Sequence, residues 1–199
     1  MDPHALTELI ELHRRTVATW TDRVAAVGDH QWDAPTPCTE WSVRDLVNHV
    51  TGEERWVVPL SAGVTIAHVG ASLDGDLLGD KPTIAAVEAA GAAVAAVDAT
   101  LPADGTVQLS YGEERMSEYV LQLCADHLVH AWDLASAVGA ETRMEPDLVS
   151  AVAAWFADRE ELYRAGGAIG PRPESPEESQ SPQDRLLAAF GRRSPWTPG

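Results

Sequence analysis

Leu6, Leu9, Ile10, Val17, Trp20 and Val24 recur at three- and four-residue steps, with His13 on the same stripe and charged residues between them. At 3.6 residues per turn that spacing places them on one face, so it predicts an amphipathic helix. Asp2 suits the N-cap and Pro3 the first helical position, and Gly28 closes a helix expected to run to about Val27. Pro35 and Pro37 make residues 29–41 a structured connector, since proline lacks the N–H and restricts its predecessor. Ser42 followed by Asp45 has the form of a capping arrangement and opens a second helix, Val43 to about Ser61.

From Gly63 to Pro82 the chain is glycine-rich and loses its helical period, so a loop with at most one short turn is predicted. The alanine content of Thr83 to Ala99 makes a third long helix, because alanine has the best intrinsic propensity. Partial alternation between Leu101 and Glu114 reads as a short extended segment or hairpin. A fourth long helix is predicted from Met116 to Val138, stopped by Gly139, and a fifth from Pro146 to about Arg164. Glycine, proline, serine and glutamate dominate residues 166–182, a flexible surface loop by composition. A short helix, Gln183 to Phe190, should dock through Leu186, Leu187 and Phe190. The pattern is therefore all-α, organised as a helical bundle over residues 1–165, a loop, and a C-terminal helix and tail over 183–199 that pack on the bundle.

Composition narrows the function classes. A chain of 199 residues, 45% hydrophobic and 23% charged, suits one folded domain. Its 31 acidic against 14 basic residues give a net charge of −17, spread along the chain. Such a field repels phosphate backbones and argues against a nucleic-acid partner. No uninterrupted apolar run approaches the ~20 residues of a membrane span, and the N-terminus lacks a secretory pattern. A cytoplasmic protein without a membrane partner, monomer or homodimer, is expected. Cys38 and Cys124 form no CxxC, so neither a disulfide framework nor a thiolate zinc site is indicated.

The chemistry concentrates in histidine and acid. His4, His30 and His68 lie near element ends or loops and read as ordinary exposed imidazoles, while His13 reads as a core histidine with one hydrogen-bond partner. Asp126 and His130 are four apart on the fourth helix, one turn apart on one face, where carboxylate and imidazole can converge on one ion. His127 and His130 are three apart and can converge as well, so spacing leaves both pairs open. A zinc site normally takes three protein ligands, and His49, between Leu46, Val47 and Val50, is the best third. Glu53 shares its face as a further ligand, an acceptor or a base; Asp133 is a partner for a ring N–H, a proton relay or a surface acid, and an exposed helical acid is the more frequent role for either. On spacing alone a buried hydrogen-bond network suits these residues as well as a metal does. Trp56 and Trp132 could wall a pocket, though tryptophans in a bundle usually pack in the core. Cys124 points around the helix from Asp126 and reads as a small apolar residue; Cys38 could line the cleft but reads as a structural thiol.

Two segments carry a resemblance. Trp41-Ser-Val-Arg-Asp45-Leu-Val-Asn-His49-Val-Thr-Gly52 is similar to the Trp-(Ser/Thr)-x-x-x-(Leu/Val)-x-x-His-(Leu/Val)-x-Gly segment of the mycothiol-dependent maleylpyruvate isomerase N-terminal-domain family, within the DinB-like superfamily. Asp126-His-Leu-Val-His130-Ala-Trp132-Asp133-Leu resembles that family's acid-x-x-x-His-x-x-Asp-Leu signature. The resemblance implies a DinB-like four-helix bundle with a long crossover plus extra short helices. It implies a divalent metal, zinc first and nickel second, on His49, Asp126 and His130, thereby selecting Asp126 over His127. It also implies a low-molecular-weight thiol such as mycothiol, activated by the metal toward a small electrophile in a transferase or isomerase reaction. The isomerase has glutamate where this chain has Asp126, one methylene shorter. It also has a C-terminal domain, where this chain is expected to have only a short tail and hence another substrate. Two rival expectations need the same ligands: a hydrolase using metal-bound hydroxide, and a metal-binding protein without catalysis.

Overall fold

The computed structural model describes residues 1–174 and 181–198, so the predicted loop is seen only on either side of residues 175–180. Helix α1 spans Pro3–Ala25, and the Asp2 carboxylate accepts the N–H groups of His4 and Ala5, both at 3.0 Å. It stops short of Val27 because the N–H groups of Ala26 and Val27 bond three residues back, to Arg23 and Val24, tightening the last turn. Helix α2 spans Val43–Ser61 behind a complete capping box: the Ser42 hydroxyl accepts the Asp45 N–H, and the Asp45 carboxylate accepts the Ser42 N–H. After one short helix, α3 (Ile66–Val69), and a 3₁₀ turn comes α4, Pro82–Thr100.

Strands β1 (Thr106–Leu109) and β2 (Gly112–Arg115) form an antiparallel hairpin, with Val107 opposite Glu114. Helix α5 spans Met116–Val138 and ends at Gly139, whose φ of 73° is the left-handed C′ conformation that glycine adopts without strain. Asp104 holds its start by accepting the Ser117 N–H at 3.0 Å. The predicted fifth helix is two: α6 (Pro146–Phe156) and α7 (Glu160–Ala165). The break follows from Arg159, whose guanidinium bonds the Trp155 carbonyl at 2.7 Å and Glu118 on α5, while its own N–H turns to Phe156. Helix α8 spans Pro182–Ala189 and buries Leu186 and Leu187 against α6, with Phe190 just beyond it.

Helices α1, α4, α2 and α5 pack around a ring in that order. The all-α bundle with a long α2–α4 connection is the architecture anticipated from the sequence. Alanines 86, 89, 90 and 93 line the buried side of α4, which lets it lie close to α1 and α2. Residues 82–103, although interrupted by Glu88 and Asp98, are long and apolar enough to cross a membrane by length and composition; in the fold a third of their most apolar 18-residue window is buried.

Candidate metal centre

Helices α2 and α5 face each other, and each brings part of one site. Asp126 and His130, a turn apart on α5, meet at 3.3 Å between Oδ1 and Nε2; His49 Nε2 comes from α2 to 3.8 Å of the same oxygen. One donor atom from each of the three lies within 4.8 Å of the others. Donors on a tetrahedral zinc, with bonds of about 2.0–2.1 Å, stand about 3.4 Å apart. The α5 pair is therefore already at coordination spacing, and the His49 atom is a few tenths of an ångström beyond it. Asp126 Oδ2 is buried and has no hydrogen-bond partner among the described residues. A carboxylate with one oxygen facing two imidazoles and the other buried without a partner is a group that a cation would satisfy.

Burial alone would raise the Asp126 carboxyl, but His130, and then His49, hold it well below the usual carboxylate range. The same balance works in reverse on His130: burial opposes its charge, while Asp126, Asp133 and Cys38 hold its pKa well above normal. Each of the two groups thus favours the charged form of the other.

A second layer fixes His130. Its Nδ1 lies 2.9 Å from Asp133 Oδ2, and Asp133 is fully buried. Arg192, arriving from beyond α8, forks onto Asp133 with Nε–Oδ1 at 3.1 Å and Nη2–Oδ2 at 2.7 Å. Burial would raise Asp133, yet the Arg192 charge and the His130 bond bring it down to about 2. Cys38 lines the cleft and joins this layer: its thiol is 3.2 Å from Asp133, and Arg192 Nη2 lies 3.1 Å from the sulfur. Cys38, His130 and Asp133 also cluster closely enough to bind an ion. The carboxylate in that cluster already carries a guanidinium fork, so the His49, Asp126 and His130 set is the one left open. Trp41 packs over the His49 ring with centroids 4.8 Å apart.

The site forms part of the wall of a cleft of about 590 Å³. Glu53 also lines it, and burial followed by the nearby Asp126 raises its carboxyl. Trp56 and Trp132 do not: Trp56 packs against the core between α1, α2 and α4, and Trp132 is buried against α6 and α8. The tryptophans at the cleft are Trp41 and Trp155. Cys124 is buried as expected, its thiol pushed up to about 12 by burial. His13 is buried too, but neither ring nitrogen has a partner among the described residues, where one was expected. His127 points away from the site and meets the fully buried Glu54 at 3.2 Å. Sequence reasoning missed Arg192, Trp41 and this Glu54–His127 pair. Two of these had a sequence signal: Trp41 opens the segment that carries the family resemblance, and Glu54 and His127 each directly follow a site residue on their helices.

Comparison with known proteins agrees with this fold. Two Mycobacterium tuberculosis proteins, Rv0738 and MT0763, are each 30% identical to the chain over 192 residues, covering 90% of it and 95% of the relative. Crystal structures of mycothiol-dependent maleylpyruvate isomerase, as a histidine-to-alanine mutant and without that substitution, share the fold at TM-scores of 0.64 and 0.58 with 15% identity. Each alignment covers 98% of this chain and 93% of the isomerase chain. The shared fold therefore runs along nearly the whole length of both chains. Residues 13–135 match the model of the mycothiol maleylpyruvate isomerase N-terminal domain, which takes in α1 to most of α5 and all three converging residues, and the chain belongs to that family.

Proposed function

We propose that the chain is a divalent-metal enzyme, with zinc the best fit and nickel the alternative, that uses a low-molecular-weight thiol such as mycothiol in a transferase or isomerase reaction. The observation that carries this is the convergence of His49 Nε2 and His130 Nε2 on Asp126 Oδ1, with the other carboxylate oxygen buried and unpartnered among the described residues, at the wall of a cleft of about 590 Å³. His49, Asp126 and His130 would hold the ion, a two-nitrogen, one-oxygen set with room for a further ligand. An ion there would lower the pKa of a thiol, so that its sulfur is available to an electrophile at neutral pH.

The chain's own groups prepare the site. Asp133 takes the Nδ1–H of His130 and so fixes the tautomer that offers Nε2 inward. Arg192 keeps Asp133 ionised for that task. Trp41 restrains the His49 ring. Glu53, raised by burial, is the group able to hold and return a proton within the cleft.

Metal analysis of the wild type beside His49→Ala and His130→Ala tests the ligand set, and thiol consumption with a small electrophile tests the chemistry. One equivalent of metal in the wild type, lost in both variants, with turnover only when thiol is present, is the expected result. Unchanged metal in either variant overturns the ligand set. Turnover without thiol overturns the thiol reading in favour of hydrolysis.

A further inference from the structure

We propose that the cleft selects an uncharged, aromatic-sized substrate and discriminates against carboxylates, so that a dicarboxylate such as maleylpyruvate fits it poorly; this rests on the thiol-dependent reading above. Arg192 is the one arginine or lysine among the described residues lining the cleft, and its donors are committed. Its Nε and Nη2 fork onto Asp133, Nη2 also reaches the Cys38 sulfur, and Nη1 bonds the Phe190 carbonyl at 2.9 Å. Of the five guanidinium N–H groups, no pair remains to clamp a second carboxylate.

The charge balance points the same way. Arg192 is cancelled by Asp133. A divalent ion and an ionised thiol together leave one positive charge, which Asp126 cancels. Glu53 on the same wall can add only negative charge, within a chain whose net charge is −17. A carboxylate entering this cleft gives up its hydration and finds no uncompensated cation to replace it.

What the cleft offers in place of charge is aromatic surface. Trp155, Tyr163, Phe190 and Ile169 line the cleft and belong to one hydrophobic cluster. That lining is braced: Trp155 donates its indole N–H to Glu118 at 3.0 Å, Arg159 lies over its outer face, and Phe190 stacks on Phe156 with centroids 3.9 Å apart. A rigid aromatic wall takes a planar apolar group at little entropic cost.

Calorimetry with an unreactive matched pair, methyl 3-phenylpropanoate and 3-phenylpropanoate, tests this on the full chain. The pair is titrated into metal-free protein and into zinc-loaded protein saturated with mycothiol, whose own isotherm is recorded first. The ester is expected to bind about ten-fold tighter than the acid in both forms at pH 7.5. Gln122→Arg, which adds a cation to the cleft lining, should strengthen acid binding several-fold and leave the ester unchanged. Equal or tighter binding of the acid in either form, or no gain from Gln122→Arg, overturns the inference. Absence of a mycothiol isotherm overturns the thiol reading instead, and the metal-free arm still decides the charge preference.

Discussion

Replacing Arg192 by Met removes the latch that ties the C-terminal segment to α5 while keeping a side chain of similar length. In the wild type the guanidinium and the fully buried Asp133 carboxylate meet through a two-pronged contact as short as 2.7 Å. Charges with centres about 4 Å apart, at an effective dielectric of about 20, attract by about 4 kcal/mol. Removing one partner of a buried pair typically costs about 3–5 kcal/mol. Asp133 would keep its bonds to His130 and Cys38, so the lower end applies: a loss of about 3 kcal/mol in urea unfolding of the metal-free protein at pH 7. Arg192→Lys, which restores the charge without the fork, should fall between the two. The pH dependence has a definite sign. Asp133 is depressed from 3.8 to about 2, so its contribution is present above about pH 4 and fades as pH falls toward 2. The gap between wild type and variant should therefore narrow as pH is lowered from 5 toward 3. A loss below about 1 kcal/mol at pH 7, or a gap that does not change with pH, would show that the latch does not carry the stability assigned to it.

Three further outcomes follow from particular contacts. His13→Leu removes a buried imidazole, already pushed down to about 3 by burial and then by His127, that has no partner among the described residues; urea melts should show it neutral or stabilising by about 1 kcal/mol, and a loss above about 2 kcal/mol would mean the ring is in fact satisfied. Gly191→Ala should cost about 2 kcal/mol by the same assay, because Gly191 has φ +78° and an added Cβ would stand 3.0 Å from the Gly170 carbonyl oxygen; wild-type stability would refute the close approach. Asp104, depressed to about 2 by Ser117, the N-terminal amine and Arg115 against the effect of burial, contributes stability above about pH 4 that is lost as pH falls through 2. Asp104→Asn should thus cost about 1 kcal/mol at pH 7, allowing for solvent screening of its partners, and converge with wild type in acid; a gap constant with pH would refute the charge as its source.

What the sequence disclosed was set by how local the determining interaction is. The start of α2 and the end of α5 were readable because their signals lie within a few residues: the Ser42–Asp45 box opens α2, and Gly139 closes α5. The α6–α7 break was not, because it depends on Arg159 reaching 41 residues back to Glu118. Apolar periodicity continues across the break, so the pattern looks like one helix. In the same way, periodicity identifies an inward face but not which end of the bundle opens. Trp56 shares the buried side of α2 with His49, yet packs in the core a turn or more beyond the cleft.

The candidate site divides along the same line. His130 with Asp126 four residues earlier and Asp133 three residues later are consequences of one helical face, legible wherever α5 forms. Their charge state is not. Asp133 can orient His130 as a carboxylate only because a guanidinium 59 residues away neutralises it, and the segment carrying that guanidinium also supplies Phe190 and Gly191 to the cleft wall. Arg192 therefore couples two properties that look independent in sequence. The contact that keeps the His130 support ionised is also the contact that removes the cleft's one guanidinium from the substrate's reach. A relative that retained the three converging residues but placed its arginine differently would keep the metal site and change which charges the cleft accepts.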